Sequence, residues 1–179
     1  MNLPNLLTIS RIILTLPVLL LLTTGNTFAH YLSAFVFAVA ALTDFFDGRI
    51  ARKRGMVTDL GKFLDQISDK ILVTSVFLGF MALSKVSVWL LFVIVFRDTI
   101  VSGIRMLASS QGRVIAADIF GKAKTAVQMA FIVLLYTQLL WGFPDQGATV
   151  WLEFVVAVIT LVSGFNYLLK NMQIFEGGQ

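Results

Sequence analysis

Long apolar runs alternate with short polar segments along the chain. Six runs stand out by their length, near residues 6–24, 29–50, 61–83, 86–108, 120–141 and 149–171. At about 1.5 Å per residue, an α-helix of such a length crosses a hydrocarbon core of roughly 30 Å. The pattern therefore predicts an all-α integral membrane protein, built as a bundle of six transmembrane helices.

Polar residues interrupt the first of these runs. A signal peptide would place its basic residues ahead of the apolar core, whereas Arg11 and Pro17 lie within the run, so we predict a retained helix. Asn5 is the residue expected to cap it. Asn5, Thr8 and Arg11 recur at near-helical spacing on roughly one side. Two interpretations stay open: a polar edge of a functional site, or an interfacial helix whose Arg11 reaches toward the headgroups.

The overall composition bounds the number of domains. With 179 residues, 58% hydrophobic and 13% charged, the chain is too apolar for a soluble domain and too short for several domains. We therefore predict a single membrane domain over residues 1–179. The absence of cysteine excludes disulfides and thiolate chemistry. His30, the only histidine, lies in a predicted loop, where we expect a solvent-exposed or interfacial side chain.

Basic residues are distributed unevenly between the two ends of the runs. The segments near 24–30 and 141–150 contain no Lys or Arg, and the segment near 84–87 contains only Lys85. The other ends collect Arg49, Arg52, Lys53, Arg54, Lys62, Arg105, Arg113, Lys122, Lys124 and Lys170. The positive-inside rule places these ends and both termini in the cytoplasm, in a multi-pass protein of the cell membrane. Their scattered positions favour anionic lipid and phosphate-bearing substrates, and argue against nucleic acid as a partner.

Four carboxylates lie at the ends of two neighbouring runs. Asp44 and Asp47 are three positions apart and Asp65 and Asp69 four apart, so on α-helices each pair shares one face. Such a cluster repels itself unless cations hold it, and an oxygen-only ligand set suits a pair of Mg²⁺ or Mn²⁺ ions. We expect these residues to line a polar active-site cavity that faces the cytoplasm.

The residues around the carboxylates fit a phosphate-bearing ligand. Gly48 and Gly61 leave room for a bulky group, and Arg52 offers a fork of donors for phosphate. A blander alternative is that the Asp residues only pair with nearby Arg and Lys side chains at a wet membrane boundary. That alternative explains the charges but neither the glycines nor the spacing.

Residues 44–69 have the pattern D-x-x-D-G-x-x-A-R, eight residues, then G-x-x-x-D-x-x-x-D. This pattern resembles the signature of the CDP-alcohol phosphatidyltransferases, which transfer the phosphatidyl group of a CDP-linked lipid such as CDP-diacylglycerol to an alcohol and release CMP. By position, the resemblance implies metal ligands at Asp44, Asp47, Asp65 and Asp69. It also makes Asp69 the base that deprotonates the acceptor hydroxyl. The resemblance further implies that the cytidine diphosphate is accommodated at Gly48, Ala51, Arg52 and Gly61.

The acceptor is less constrained by the sequence. The family includes acceptors with a phosphate, such as glycerol 3-phosphate and inositol phosphate, and acceptors without one, such as serine and choline. The chain has four cations beyond what the donor requires, namely Arg105, Arg113, Lys122 and Lys124. They would suit an acceptor phosphate, although the positive-inside rule accounts for part of the excess. Segments 97–105 and 121–128 resemble those of bacterial members that use glycerol 3-phosphate, which is the acceptor we expect. The N-terminal segment resembles theirs too, which implies CDP-lipid contacts for Asn5, Thr8 and Arg11.

Other functional classes make different predictions. A transporter or channel would carry charges at mid-membrane on several helices, whereas here they cluster at one end, apart from Arg97 and Asp98, which we expect to line a polar interior. A noncatalytic lipid-binding subunit would not need all four Asp residues. The sequence leaves open Mg²⁺ against Mn²⁺, the acyl-chain preference, the oligomeric state, for which a homodimer is one candidate, and another acceptor such as inositol phosphate, serine or phosphatidylglycerol.

Overall fold

Six long helices account for almost all of the described chain. The computed structural model describes residues 3–53, 59–112, 115 and 119–176. Within these ranges it does not describe the side chains of residues 3–5, 7, 44–53, 59–60, 62–63, 65–66 and 175–176. The helices are α1 (Leu3–Thr23), α2 (Thr27–Lys53), α3 (Asp59–Ala82), α4 (Val88–Ser110), α5 (Ile119–Trp141) and α6 (Gln146–Lys170), followed by the short α7 (Gln173–Glu176). No strand occurs among the described residues, so the predicted all-α fold is confirmed.

Each long helix covers one of the predicted apolar runs. The first helix begins at Leu3, before the start of its predicted run, so the prediction that Asn5 caps it is wrong and Asn5 lies in its first turn. The fifth helix begins at Ile119, so both Lys122 and Lys124 lie on α5, as the run predicted at 120–141 implies.

The chain divides into two compact units. The first comprises Met1–Lys85 and Leu139–Gly142, and the second Val86–Gln138 and Phe143–Gln179. In the first unit α1 packs against both α2 and α3. Gly79 permits the close approach of α3 to α1, because a Cβ atom at that position would lie 2.6 Å from Leu22 Cδ2. The Ser33 hydroxyl ties α2 to α1 by donating to the Val18 carbonyl oxygen at 2.9 Å.

His30 belongs to the interior of the first unit. It is only 8% exposed, so the prediction of an exposed or interfacial side chain is wrong. The reason is that α2 begins earlier than the apolar run suggests: Asn26 Oδ1 accepts from Phe28 N at 2.9 Å, the pattern of an N-cap. His30 therefore lies in the first turn of α2, where its backbone N donates to Asn26 O.

The second unit is held together by α4 packing against α6 and by polar bonds from α5. Between α5 and α6, Gln128 Nε2 donates to Thr160 Oγ1 at 3.2 Å. Farther along the same two helices, Gln138 Nε2 donates to Thr149 Oγ1 at 2.9 Å. The short α7 adds Ile174, which is buried with Ile104 on α4. Side-chain amides and hydroxyls thus link helices that contain few charges.

The two faces of α6 are reversed relative to a helix of a water-soluble protein. Its buried positions are mostly polar, namely Thr149, Val156, Thr160, Ser163 and Tyr167. Its exposed positions include large apolar side chains, namely Val150, Trp151, Phe154, Val158, Leu161 and Phe165. Within the described residues, α5 and α6 are long and apolar enough to cross a membrane by length and composition, and Thr8–Thr23 and Thr27–Thr43 are shorter apolar stretches. These features indicate a membrane protein.

Two serines shape the connection between α3 and α4. Ser84 follows α3 with a φ of 56°, a left-handed conformation that non-glycine residues seldom adopt. Ser84 N donates to Met81 O and Lys85 N to Phe80 O, both at 2.9 Å, which is the Schellman arrangement of a helix end. Ser87 then caps α4, because its hydroxyl oxygen accepts from Leu90 N.

Candidate active site

The predicted acidic pairs lie on helices, as their spacing requires. Asp44 and Asp47 lie in α2, and Asp65 and Asp69 lie in α3. The side chains of Asp44, Asp47 and Asp65 are outside the described residues, so their assignment as metal ligands stays a prediction. Asp69 is described, and its surroundings define the first part of the site.

Asp69 forms an ion pair with Arg11 of α1. Arg11 Nη1 donates to Asp69 Oδ1 at 2.9 Å and to Ser68 Oγ at 3.1 Å. The Arg11 side chain is fully buried, whereas the Asp69 side chain is 52% exposed. The Asp69 carboxylate is thus held by a desolvated guanidinium although its own side chain is half exposed. Two residues predicted for different roles, donor binding and proton transfer, are brought together.

The other predicted donor-binding positions follow the same helices. Thr8 lies one turn before Arg11 on α1 and is buried. Gly48, Ala51 and Arg52 lie in α2 and Gly61 in α3. The environments of Asn5, Gly48, Ala51 and Arg52 are outside the described residues, and their contacts with the CDP-lipid stay predictions.

A second polar cluster lies inside the second unit, around Asp98 of α4. Lys124 Nζ donates to both carboxylate oxygens of Asp98 at 2.8 Å, and Arg97 Nη1 donates to Asp98 Oδ1 at 3.1 Å. All three side chains are nearly buried, at 6% exposure for Lys124, 11% for Arg97 and 13% for Asp98. The expectation that Arg97 and Asp98 avoid lipid and line a polar interior is confirmed. Lys124, predicted to bind the acceptor phosphate, is paired with a protein carboxylate.

Arg97 also reaches α6 and lies against two glycines. Its Nη2 donates to Ser163 Oγ at 2.7 Å. A Cβ atom at Gly164 would lie 2.8 Å from Arg97 Cγ, so the side chain has its present position only because residue 164 is glycine. At Gly121 of α5 the corresponding distance to Arg97 Nη2 is 3.6 Å, which is ordinary contact.

Arg105 is held in a different way, by a neutral partner. Its Nε donates to the Tyr167 hydroxyl oxygen at 3.1 Å, and its Cζ lies 5.6 Å from the centre of the Tyr167 ring. Of the other cations predicted for the acceptor, Lys122 is exposed on α5 and Arg113 lies outside the described residues. The three described cations, Arg105, Lys122 and Lys124, therefore differ in their partners within the protein.

Sequence reasoning missed the partners on α6. Ser163, Gly164 and Tyr167 contact the basic residues of α4, yet the last runs show little beyond hydrophobicity when they are considered run by run. A signal was present, because Thr160, Ser163 and Tyr167 recur at helical spacing in an otherwise apolar segment. The contact of Ser68 with Arg11 was also missed, because Ser68 is a small polar residue beside the more conspicuous Asp69.

Comparison with known protein sequences identifies the family of this chain. The sequence model of the CDP-alcohol phosphatidyltransferases matches residues 1–163. A CDP-diacylglycerol–glycerol-3-phosphate 3-phosphatidyltransferase of Bacillus subtilis is 35% identical, over 96% of this chain and 96% of its own length. The protein of that name from Escherichia coli K12 is 34% identical, over 93% of each chain.

A third relative is named less firmly but covers the chain as fully. It is a probable phosphatidylglycerophosphate synthase of Mycobacterium tuberculosis, 33% identical over 98% of this chain and 84% of the relative. The match of the family model and the full-length relatives agree with the signature found in residues 44–69. The chain therefore belongs to the CDP-alcohol phosphatidyltransferase family of enzymes.

Proposed function

We propose that the protein transfers the phosphatidyl group of CDP-diacylglycerol to glycerol 3-phosphate, giving phosphatidylglycerophosphate and CMP. One observation carries the choice of acceptor: relatives at 33–35% identity that cover nearly the whole chain are named for this reaction or its product. The full set of signature residues in 44–69 supports the reaction type. The reaction is a step of phospholipid biosynthesis.

Asp69 is the residue we assign to proton transfer. The acceptor hydroxyl oxygen forms a bond to the phosphorus that carries diacylglycerol, while the bond from that phosphorus to the bridging oxygen breaks and CMP leaves. The hydroxyl proton passes to the Asp69 carboxylate. The contact from Arg11 supports this role, since a guanidinium at 2.9 Å fixes one carboxylate oxygen while half of the side chain remains accessible.

The carboxylates of α2 and α3 fit a divalent-metal site by their chemistry. Oxygen-only ligand sets suit hard cations, and both pairs lie on helices at spacings that keep each pair on one face. The residues that would hold the two ions, Mg²⁺ or Mn²⁺, are Asp44, Asp47, Asp65 and Asp69. When bound, such ions neutralise the pyrophosphate and stabilise the departing phosphate.

We assign the donor to the surfaces of α1, α2 and α3 around these carboxylates. Glycines and a small residue leave room for the cytidine diphosphate, and Arg52 supplies donors for its phosphates. The residues assigned to this role are Asn5, Thr8, Arg11, Gly48, Ala51, Arg52 and Gly61. Arg11 serves two roles in this proposal: it contacts the donor, and it holds the carboxylate that we assign as the base. The bond from Arg11 to Asp69 supports the second role.

The acceptor phosphate is assigned to a subset of Arg105, Arg113, Lys122 and Lys124. Arg105 and Lys122 form no ion pair among the described residues, whereas Lys124 is paired with Asp98. A phosphate that approaches Arg105 therefore meets a cation whose charge the described protein has not cancelled.

We propose that the six long helices all span the cell membrane as one domain over residues 1–179, with both termini and the active-site cavity on the cytoplasmic side. The distribution of Lys and Arg supports this orientation. The outward apolar and inward polar faces of α6 support the spanning arrangement.

A purified-protein assay tests the function directly. CDP-diacylglycerol is supplied with glycerol 3-phosphate, inositol phosphate, serine or glycerol, and CMP release is followed while the lipid product is identified by its mass. We expect the fastest release with glycerol 3-phosphate. An Asp69→Asn protein prepared in parallel controls for contaminating activity. Faster release with serine or inositol phosphate would overturn the choice of acceptor but leave the family assignment intact.

A further inference from the structure

We infer that Tyr167 is a positioning residue for acceptor recognition: it orients the Arg105 guanidinium so that its terminal nitrogens can bind the acceptor phosphate. This inference rests on the proposed function, because it concerns how that site distinguishes a phosphorylated acceptor. Tyr167 lies on α6, beyond residues 1–163, which the family sequence model matches.

The contact with Tyr167 occupies the Nε edge of the Arg105 guanidinium and leaves the edge formed by its terminal nitrogens available to a ligand. The Arg105 Nε atom has a single N–H, and the Tyr167 hydroxyl oxygen accepts from it at 3.1 Å. The ring lies below the same group, with Cζ 5.6 Å from its centre, within the range of a cation–π contact. The Nη1 and Nη2 atoms, which carry the other N–H groups, have no hydrogen-bond partner among the described residues, and the side chain is partly exposed.

Tyr167 is itself fixed. It is 2% exposed and packs in the cluster that contains Val101, Ile104 and Ala108 of α4 and Ile174 of α7. A tyrosine packed on all sides has few rotamers available, so its hydroxyl is a stationary acceptor. Arg105 therefore loses much of its rotamer freedom before a ligand arrives, and binding a phosphate then requires less ordering.

A neutral partner orients a cation without cancelling its charge. Lys124 is also fixed, but it donates to both oxygens of the Asp98 carboxylate and so has an anionic partner. Lys122 is exposed and lacks a described partner that would orient it. Among the described cations predicted for the acceptor, Arg105 alone is both held in place and free of a carboxylate partner.

Tyr167→Phe is the sharpest variant, because it removes the hydroxyl and keeps the ring and its packing. In the full-length purified protein, we expect the KM for glycerol 3-phosphate to rise about tenfold, the size of a lost hydrogen bond to a charged group. The KM for CDP-diacylglycerol and the kcat at saturating acceptor should stay near wild type. Tyr136→Phe, at another buried tyrosine, serves as the matched control and should change neither constant.

Coupling between the two residues separates positioning from a general structural role. Arg105→Gln should raise the acceptor KM further, and adding Tyr167→Phe to it should have little additional effect. Arg105→Lys keeps the charge but has no Nε to bind Tyr167, so it too should raise the acceptor KM. This variant tests the inference even if Tyr167→Phe is poorly folded.

The outcomes distinguish this inference from the proposed function. If wild-type protein uses glycerol 3-phosphate but Tyr167→Phe or Arg105→Lys has an unchanged acceptor KM, the inference is wrong and the function stands. Equal increases in both KM values, or additive effects of Tyr167→Phe and Arg105→Gln, also overturn the inference. If wild-type protein does not transfer to glycerol 3-phosphate, the proposed function itself is wrong.

Discussion

Arg11 Nη1 donates to Asp69 Oδ1 across 2.9 Å, and the two residues of this pair differ greatly in their access to solvent. The Arg11 side chain is fully buried, and that of Asp69 is half exposed. Removing Asp69 would leave a desolvated charge behind, whereas removing Arg11 would leave a carboxylate that water can reach. A replacement at Asp69 therefore has to preserve the acceptor for Arg11 if its effect on chemistry is to be measured alone.

Asp69→Asn meets that requirement. The amide oxygen can still accept from Arg11, but the amide cannot take up the acceptor proton, so we expect turnover to fall by about 100-fold or more. The thermal unfolding midpoint should stay near wild type, whereas Asp69→Leu, which removes the acceptor, should lower it. Turnover by Asp69→Asn above about a tenth of wild type would place the base elsewhere.

Removal of divalent cations should abolish turnover. Four carboxylates cannot hold a pyrophosphate beside them unless cations intervene, so excess chelator should stop CMP release and added Mg²⁺ or Mn²⁺ should restore it. The unfolding midpoint is measured under the same conditions, to separate loss of the ions from loss of the fold. Full turnover in excess chelator would contradict the metal site.

Gly79→Ala should weaken the packing of α3 on α1. The added Cβ would lie 2.6 Å from Leu22 Cδ2, which forces a shift that we expect to lower the free energy of unfolding by about 1–3 kcal/mol. Gly103→Ala is the matched control, since nothing lies within 4 Å of a Cβ at that helical position. That variant should be as stable as wild type or more stable by up to about 1 kcal/mol. Equal effects at the two positions would contradict the close approach.

Ser84→Gly should stabilise the protein. Ser84 has a φ of 56° in the Schellman turn after α3, and glycine adopts that conformation without the steric penalty of a Cβ atom. We expect the free energy of unfolding to rise by about 1 kcal/mol. Ser84→Ala retains a Cβ atom and should give no such gain in a thermal unfolding measurement. A gain from both variants would point to the hydroxyl and not to the backbone.

Asp98→Asn should be strongly destabilising, because it removes the negative charge that Arg97 and Lys124 share in the interior. Removing one partner of a buried ionic cluster typically costs about 3–5 kcal/mol. Adding Lys124→Met to Asp98→Asn removes one of the stranded cations and should recover part of the loss. An Asp98→Asn protein with the unfolding midpoint of wild type would mean that solvent already screens this cluster.

The sequence predicted the helices well because their length and apolar character are local properties. Each apolar run became one helix, and the motif residues of 44–69 lie on helices, as their spacing required. His30 was placed wrongly because a helix start depends on a cap as much as on hydrophobicity. Asn26 supplies that cap, three residues before the apolar run was taken to begin.

The site was predicted less completely, because charge counting cannot show which charges the protein has already paired. Arg105 and Lys124 look equivalent in the sequence, yet one is held by the neutral Tyr167 and the other by the carboxylate of Asp98. Ser163 and Gly164 matter through their contacts with Arg97 on another helix. Such contacts depend on how α4 and α6 pack, and residue type alone does not indicate them.

The polar bonds of α4 have a consequence for the order in which the protein is made. Arg97, Asp98 and Arg105 all lie on α4. The side chains that bind them follow on later helices, namely Lys124, Ser163 and Tyr167. Because a chain is synthesised from its N-terminus, α4 leaves the ribosome before these partners exist. In the proposed six-span arrangement, we therefore expect α4 to stay in the polar channel of the insertion machinery, and to enter lipid only together with α5 and α6.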